Sequence, residues 1–473
     1  MNLTTEQQKV IDVMLSSESD NKIVAVNSVA GSGKTSTALA VVRALNPNKG
    51  IYTAFNKAIV QEATKKFPSN IEVKNIHALA YKYVKPKRIE DFTYTSITEN
   101  ISYSEKAMVI KALDSFYRSD STDISEYLDN NCSFSYISDL VEKYANLMLQ
   151  EKIPSTFNFM LKCFHLMLLD ELNIDTDLVL LDEAQDTTAV TLEIFKNIHA
   201  KKKIMLGDTY QNIYSFMDTV NGFKVLKDTI NLQLTKSFRC DEAIAEKVED
   251  FGILAFNPTF RFKGTNSSMP SNPTTSYISR TNAALIDRMN ECHENNITYS
   301  LVRPIKEIFE LPLALIMVNS GKSLYSNKYK FLEQEYKIYS NDINLRYEYK
   351  NYYSYLQHKT QDIAVINACR LLLAFYTKGI NIFDVMKTAE KMRPNKNTIL
   401  TTAHAFKGLE TDIVYLENDI NVCTKNSLEM LKIVTDIDNL DSVHIENLNT
   451  YYVALSRARH KLYNNQITGD VEC

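Results

Sequence analysis

The run Ser28-Val29-Ala30-Gly31-Ser32-Gly33-Lys34-Thr35 has the residue types needed to hold a chain of phosphates. Gly31 and Gly33 let the backbone wrap closely round anionic oxygens, and the backbone from Ala30 through Ser32 to Ser36 offers N–H groups where a helix begins. Lys34 is placed to reach β- and γ-phosphates, and the Thr35 hydroxyl to ligand Mg2+. The run opens on Ser28 where the general pattern has glycine, but its Gly-Ser-Gly-Lys-Thr end is complete. A second group, Leu181-Asp182-Glu183-Ala184-Gln185-Asp186, sets two adjacent carboxylates at the end of an apolar run. Asp182 suits a metal, held directly or through water, and Glu183 suits the orientation or deprotonation of an attacking water. Adjacent acids at a helix start are often only a solvated face. The phosphate loop beside them in the same chain favours chemistry instead, and the pair points to ATP and Mg2+ as cofactors.

Such residues need a scaffold that presents them at loop tips. Lys22–Val29 reads as a short buried strand, with a helix from about Gly33 to Leu45, a strand at Ile51–Ala54 and a helix at Asn56–Lys66. That alternation is the rhythm of a parallel α/β sheet. Strand patterns return at Asp177–Leu181 and Lys203–Leu206, and in a second α/β segment at Thr275–Ser279, Thr398–Thr402 and Asp412–Leu416. Two polar, mainly helical stretches interrupt them. The expected division is therefore 1–83, an insertion at 84–172, and 173–228 for the first domain; then 229–295, a reduced insertion at 296–395, and 396–473 for the second. The fold class is α/β, with a parallel sheet in each domain. The tyrosine-rich run at 349–357 reads as helical packing, and Lys201-Lys202-Lys203 as a solvated turn. The stretch Tyr81–Arg88, with Lys82, Lys85 and Lys87, could track phosphates.

Composition narrows the class. The chain has 473 residues, a net charge of -4, 45% hydrophobic and 23% charged residues, which fits a multidomain globular protein. Any nucleic-acid surface must be a local groove and not a global basic coat. Cys132, Cys163, Cys240, Cys292, Cys369, Cys423 and Cys473 are dispersed and form no CxxC pair, so no zinc or iron–sulfur ligand set is visible. This usage suits reduced thiols in a cytosol-like compartment. The N-terminus lacks a signal pattern and no run approaches the length of a membrane span. The expectation is a soluble, cytoplasmic chain, with a host nucleoid or a viral replication site as its place of work, and no membrane.

Further segments fall in a fixed order along residues 3 to about 462, and the set resembles superfamily 1 helicases of the UvrD/Rep type. Leu3-Thr4-Thr5-Glu6-Gln7 is similar to that family's Q motif, Thr53-Ala54-Phe55-Asn56-Lys57-Ala58 to motif Ia, and Asn75-Ile76-His77-Ala78-Leu79-Ala80 to motif Ib. Leu206-Gly207-Asp208-Thr209-Tyr210-Gln211 running on to Phe216 resembles motif III, and Leu234-Thr235-Lys236-Ser237-Phe238-Arg239 motif IV. Ser279-Arg280-Thr281-Asn282 resembles motif IVa, Thr402-Ala403-His404 through Glu410 motif V, and Tyr452-Val453-Ala454-Leu455-Ser456-Arg457-Ala458-Arg459 motif VI. The insertion at 296–395 also looks like the F-box helicase branch, without an F-box segment. Ser36 stands where many members carry an adenine-stacking Arg, Met217-Asp218 where they carry Arg-Gly, and Phe55 falls one position late.

The resemblance implies two RecA-like domains and an ATP-driven DNA motor. Gln7 would read adenine, Phe238 would stack on it, and Glu410 would meet the ribose. Gln211, Arg239 and Arg457 would respond to the γ-phosphate, Arg457 as the arginine finger. Phe55, Asn56, His77, Phe216, Arg280, Asn282, Thr402 and His404 would line the single strand. Lys34, Asp182 and Glu183 lie in the first domain's sequence and Arg239 and Arg457 in the second's, so ATP is expected in the cleft between two cores. The implied activity is 3′-to-5′ translocation on single-stranded DNA and unwinding at single/double-strand junctions, in repair, replication or recombination. A protein partner or a dimer would support strong unwinding. Two alternatives stay open: a translocase that strips proteins such as recombinase filaments, and the ATPase subunit of a nuclease complex.

Overall fold

The computed structural model describes residues 3–54, 57–214, 218–324, 327–360 and 362–464. It divides into two compact units, Met1–Lys236 and Ser237–Cys473. Each is α/β and each is built on one parallel sheet.

The first sheet contains β1 (Ile23–Ser28), β2 (Gly50–Ala54), β3 (Ile71–Asn75), β4 (Asp175–Leu181), β5 (His199–Gly207) and β6 (Thr229–Leu234), in the order β3-β2-β4-β5-β1-β6. Ala25 pairs with Met205 and Met205 with Leu181, so β1 and β4 flank β5 in register. All strands run the same way, so the phosphate loop after β1 and the acids after β4 leave the same edge, where α/β sheets collect their ligands. Side chains alternate between faces. Val24, Val26, Leu180 and Ile204 join Val10, Met14 and Val41 on one side. Ala25, Val179, Leu181 and Met205 join Leu161, Phe164 and Val190 on the other. This two-sided burial is why these strands read as continuous apolar runs.

The sequence boundary at 229 moves, because β6 pairs along its length with β1 and closes the first sheet. Lys201–Lys203 also differs from the solvated turn expected of it. These residues lie inside β5, and Lys202 is buried, donating from Nζ to Ser16 O and Ser19 Oγ, each at 2.6 Å, and pairing with Asp20. A buried ammonium needs such a full set of acceptors. The insertion folds as helices Tyr103–Arg118, Ile124–Asn131, Ser135–Leu149 and Phe157–Asp170, around a core of its own that includes Val109, Leu113, Val141 and Met148.

The second sheet contains β7 (Thr275–Ser279), β8 (Ser300–Leu301), β9 (Thr398–Thr402), β10 (Thr411–Leu416) and β11 (Ala458–Asn464), in the order β11-β10-β7-β9-β8. Its insertion runs from helix Ile305–Asn319 to helix Ile382–Lys391, and its core merges with Leu400 of β9. Tyr352 and Tyr355 of the tyrosine-rich run are buried in that core. Among the described residues no single helix is long and apolar enough to cross a membrane. The helices Ile363–Lys378 and Ile382–Lys391 would reach that length only as a pair, but they are bent 98° to one another and turn Val365, Cys369, Leu372, Ile382 and Val385 into the core.

Candidate functional site

The loop after β1 has the form a phosphate requires. Gly31 and Gly33 sit at φ +73° and +80°, a left-handed conformation that favours glycine, and the helix Lys34–Leu45 starts immediately after. Ser32 is buried, and its Oγ has no hydrogen-bond partner among the described residues. Such an orphan hydroxyl, beside a helix N-terminus, is chemically suited to a phosphate oxygen. Thr35 and Ser36 are half-buried in the first turn. Gln7 is buried with its amide on the loop's far side, where Nε2 donates to Thr37 Oγ1 at 3.1 Å and lies 3.5 Å from Ser32 O. The same side chain closes a capping box with Thr4, so the N-terminal helix is fastened to the phosphate loop through one glutamine.

Across β5, Lys34 Nζ lies 3.7 Å from Glu183 Oε1. Asp182 is buried; its Oδ1 accepts from Glu183 N at 3.0 Å and its Oδ2 accepts from the Tyr52 hydroxyl of β2. Burial pushes the Asp182 carboxyl above the usual range, and the Glu183 charge adds to that, while Lys34 and the Tyr52 bond work against it. Mg2+ would be another cation in this place, held by Thr35 and Asp182. Two protein ligands suit Mg2+, which leaves its remaining positions to phosphate and water.

Glu183 has φ +54°, a costly conformation for a residue that carries a Cβ. Gln185 fixes one side of its carboxylate. The Gln185 amide donates to Glu183 Oε2 at 2.6 Å and Asp186 Oδ2 at 2.9 Å, while its Oε1 accepts from Asp208 N at 3.0 Å. Asp208 Oδ2 in turn accepts from Gln211 Nε2 at 2.7 Å. The acids after β4 and the loop after β5 therefore form one hydrogen-bonded path. Gly207 makes it possible, because a Cβ there would stand 2.2 Å from Gln185 Oε1 and 3.0 Å from Ala184 N. The sequence marks neither partner: Gln185 stands inside the acidic motif without a role of its own, and Tyr52 is one more residue of a buried strand.

Of the expected strand contacts in this unit, Phe55, Asn56 and Phe216 lie outside the described residues. His77 is half-buried on the helix Ile76–Val84 and meets Phe157 edge-on, ring centres 5.7 Å apart. Burial lowers the His77 pKa, a bond to Asn158 opposes this, and the Arg118 charge lowers it further. The basic stretch beyond is largely paired: Lys82 with Glu72, Lys87 with Glu151 and Arg88 with Glu90.

In the second unit Phe238 is 45% exposed. Arg239 donates from Nε to Glu410 Oε2 at 2.6 Å and from Nη1 to Ser456 O at 3.2 Å. Arg457 is only 1% exposed, and its guanidinium donates to Val453 O, Leu409 O and Ser456 Oγ. Leu409 precedes Glu410 and Ser456 is itself an Arg239 partner, so Arg457 fixes the surroundings of Arg239. Arg280, Thr402 and His404 lie at the ends of β7 and β9. Arg280 Nη1 is 3.4 Å from His404 Nδ1, and Thr402 Oγ1 caps the turn by accepting from Ala405 N. Asn282 opens the helix Asn282–Glu294. Two carboxylates missed from the sequence organise this cluster. Asp419 accepts from Arg280 N and Thr281 N, and Glu446 accepts from Arg280 Nη2 at 2.8 Å. Glu446 lies near the start of the helix Ser442–Leu455, on the face that reaches Arg280, where the sequence shows only an ordinary helix glutamate.

Comparison with known proteins bears on this arrangement. Residues 12–217 match the AAA domain family AAA_19, which spans the phosphate loop, the acidic motif and the loop after β5. The chain is 24% identical, over 98% of its own length and 57% of the relative's, to F-box DNA helicase protein 1 of Schizosaccharomyces pombe. The chain is thus similar in sequence to F-box DNA helicases. The helicase-like P-loop domain and the two parallel sheets agree with the superfamily 1 resemblance drawn from the motifs. F-box DNA helicase 1 of Gallus gallus is 26% identical over 51% of this chain and 27% of its own length. The chain thus spans little more than half of one relative and about a quarter of the other.

Proposed function

We propose that this chain is an ATP-driven DNA motor that moves 3′-to-5′ on single-stranded DNA and unwinds duplex at the junction. The observation that carries the reading is the hydrogen-bonded path from Glu183 through Gln185 to Asp208 and Gln211. It ties the residue suited to activating water to the loop that runs toward Phe216, so a change at one end has a material route to the other. The motif order and the homology to DNA helicases support the same reading.

In this proposal Lys34 and the loop from Ala30 to Ser36 bind the phosphates, and Phe238, Gln7 and Glu410 serve the adenosine end. Bound Mg2+ would offset phosphate charge, with Thr35 and Asp182 as its protein ligands. Glu183 orients the attacking water and takes its proton. Arg239 and Arg457 supply positive charge for the transferred phosphoryl group, an effect worth roughly 10³–10⁵ in rate. His77, Arg280, Asn282, Thr402 and His404 grip the strand alternately as turnover proceeds, with Phe55, Asn56 and Phe216 completing the track.

The test is steady-state ATP hydrolysis with no nucleic acid, single-stranded DNA, single-stranded RNA or duplex DNA, with Lys34→Ala as control. Strong stimulation by single-stranded DNA, absent in the variant, is expected. Duplexes with a 3′ or a 5′ tail then read polarity. Equal turnover in every arm would overturn the motor reading. Displacement of a bound protein from single-stranded DNA without strand separation would instead favour the protein-stripping translocase.

A further inference from the structure

Glu446 occupies the centre of the second unit's cationic cluster. Its Oε1 lies 2.8 Å from Arg280 Nη2 and 3.6 Å from His404 Nε2. Arg280 Nε is 3.4 Å from Asn447 Oδ1 and Arg280 Nη1 the same distance from His404 Nδ1, which closes a ring of contacts. Arg280, His404 and Glu446 are all mostly shielded from solvent. One carboxylate oxygen therefore serves two groups proposed to meet DNA. Arg280 Nη1 meets the Nδ1 edge of the imidazole while its Nε2 edge faces the Glu446 carboxylate, so the ring is set between the two charges.

We propose that Glu446 is a positioning residue that restrains the strand grip: it neutralises Arg280 and orients His404, so that the strand is held loosely enough to be released in each cycle. This rests on the DNA-motor reading above. A carboxylate placed against a phosphate-binding arginine competes with the phosphate for it. An unopposed cation adds a phosphate contact and with it the release of a counterion.

The test is binding of the full chain to fluorescent oligo(dT) without nucleotide, over a salt series, for the parent, Glu446→Gln, Glu446→Asp and the double variant Arg280→Ala/Glu446→Gln. Glu446→Gln should bind about tenfold more tightly at low salt, with a log–log salt slope steeper by about 0.7. Glu446→Asp should restore the parental slope, and the double variant should lose the gain. Loss of packing alone would not steepen a salt slope. If Glu446→Gln does not fold, as judged by circular dichroism, Glu446→Ala removes the same charge and takes its place. A parental slope in the neutral variant, or weaker binding by it, overturns the inference while leaving the motor reading intact. A parent that binds no single-stranded DNA overturns both.

Discussion

Removing Gln185 should uncouple water activation from a preserved nucleotide pocket. The side chain is fully buried and makes three hydrogen bonds: two donated to carboxylates, Glu183 and Asp186, and one accepted from Asp208 N–H. Hydrogen bonds to charged groups are worth about 1.5–3 kcal/mol each, and a neutral one about 1 kcal/mol. They share one amide, so their values do not add. The term that bears on catalysis is the bond to Glu183, which fixes the position of its carboxylate. If that bond's 1.5–3 kcal/mol is what keeps Glu183 over the water, its loss raises the barrier by the same amount, about 10- to 100-fold in kcat. ATP binding should change little, because Gly31, Gly33 and Lys34 make no contact with Gln185 in the path described. The assay is kcat with saturating single-stranded DNA beside a fluorescent-nucleotide Kd, for Gln185→Ala and the parent. A parental kcat in a folded variant would refute the argument that Gln185 holds Glu183. A large loss of nucleotide affinity with kcat intact would refute the separation of the two roles.

Glu183→Gln should bind ATP normally and turn over poorly, since the amide cannot take a proton; single-turnover hydrolysis checks this. Tyr52→Phe removes a hydrogen bond that holds the Asp182 carboxyl down, so its pKa should rise further and the acid limb of the ATPase profile should move to higher pH. The stability sign is fixed by the same shift: a carboxyl raised on folding stabilises the native state when protonated, and that contribution fades as pH climbs through its folded pKa. Urea melts between pH 4 and 7 in the absence of Mg2+ should show the parent losing this increment over the acid range and the variant retaining it to higher pH, roughly as ordinary and raised carboxyl values dictate. Arg457→Ala should slow hydrolysis more than it weakens nucleotide binding, because it takes away both a cation and the support of Arg239 through Ser456. The reverse pattern in kcat and Kd would contradict that assignment.

Much of the chemistry was legible because it is local. A phosphate loop needs its glycines, lysine and hydroxyl within one turn, so Gly31 to Thr35 announce themselves, and the acids Asp182 and Glu183 sit together for the same reason. Strands β1 and β4 were legible from their apolar runs, since a parallel sheet covered on both faces has no polar side to show, and β7, β9 and β10 from shorter strand patterns rich in β-branched residues and tyrosine. Strand order was not. That β5 lies between β1 and β4, and that β6 closes the first sheet, follows from pairing across long loops, which no local pattern encodes. Polar partners were hidden for the same reason. Tyr52 is an ordinary strand tyrosine until β2 pairs with β4 and brings it to Asp182, and Lys202 is an ordinary surface lysine until the chain at Ser16–Asp20 folds over it. Glu446 is an ordinary helix glutamate until the second sheet sets Arg280 and His404 beside it. Sequence determined which groups are chemically suited to bind phosphate and activate water. Only the tertiary structure decided which buried carboxylates, amides and hydroxyls hold them, because a desolvated charge takes its partner from whatever the fold brings within hydrogen-bond reach.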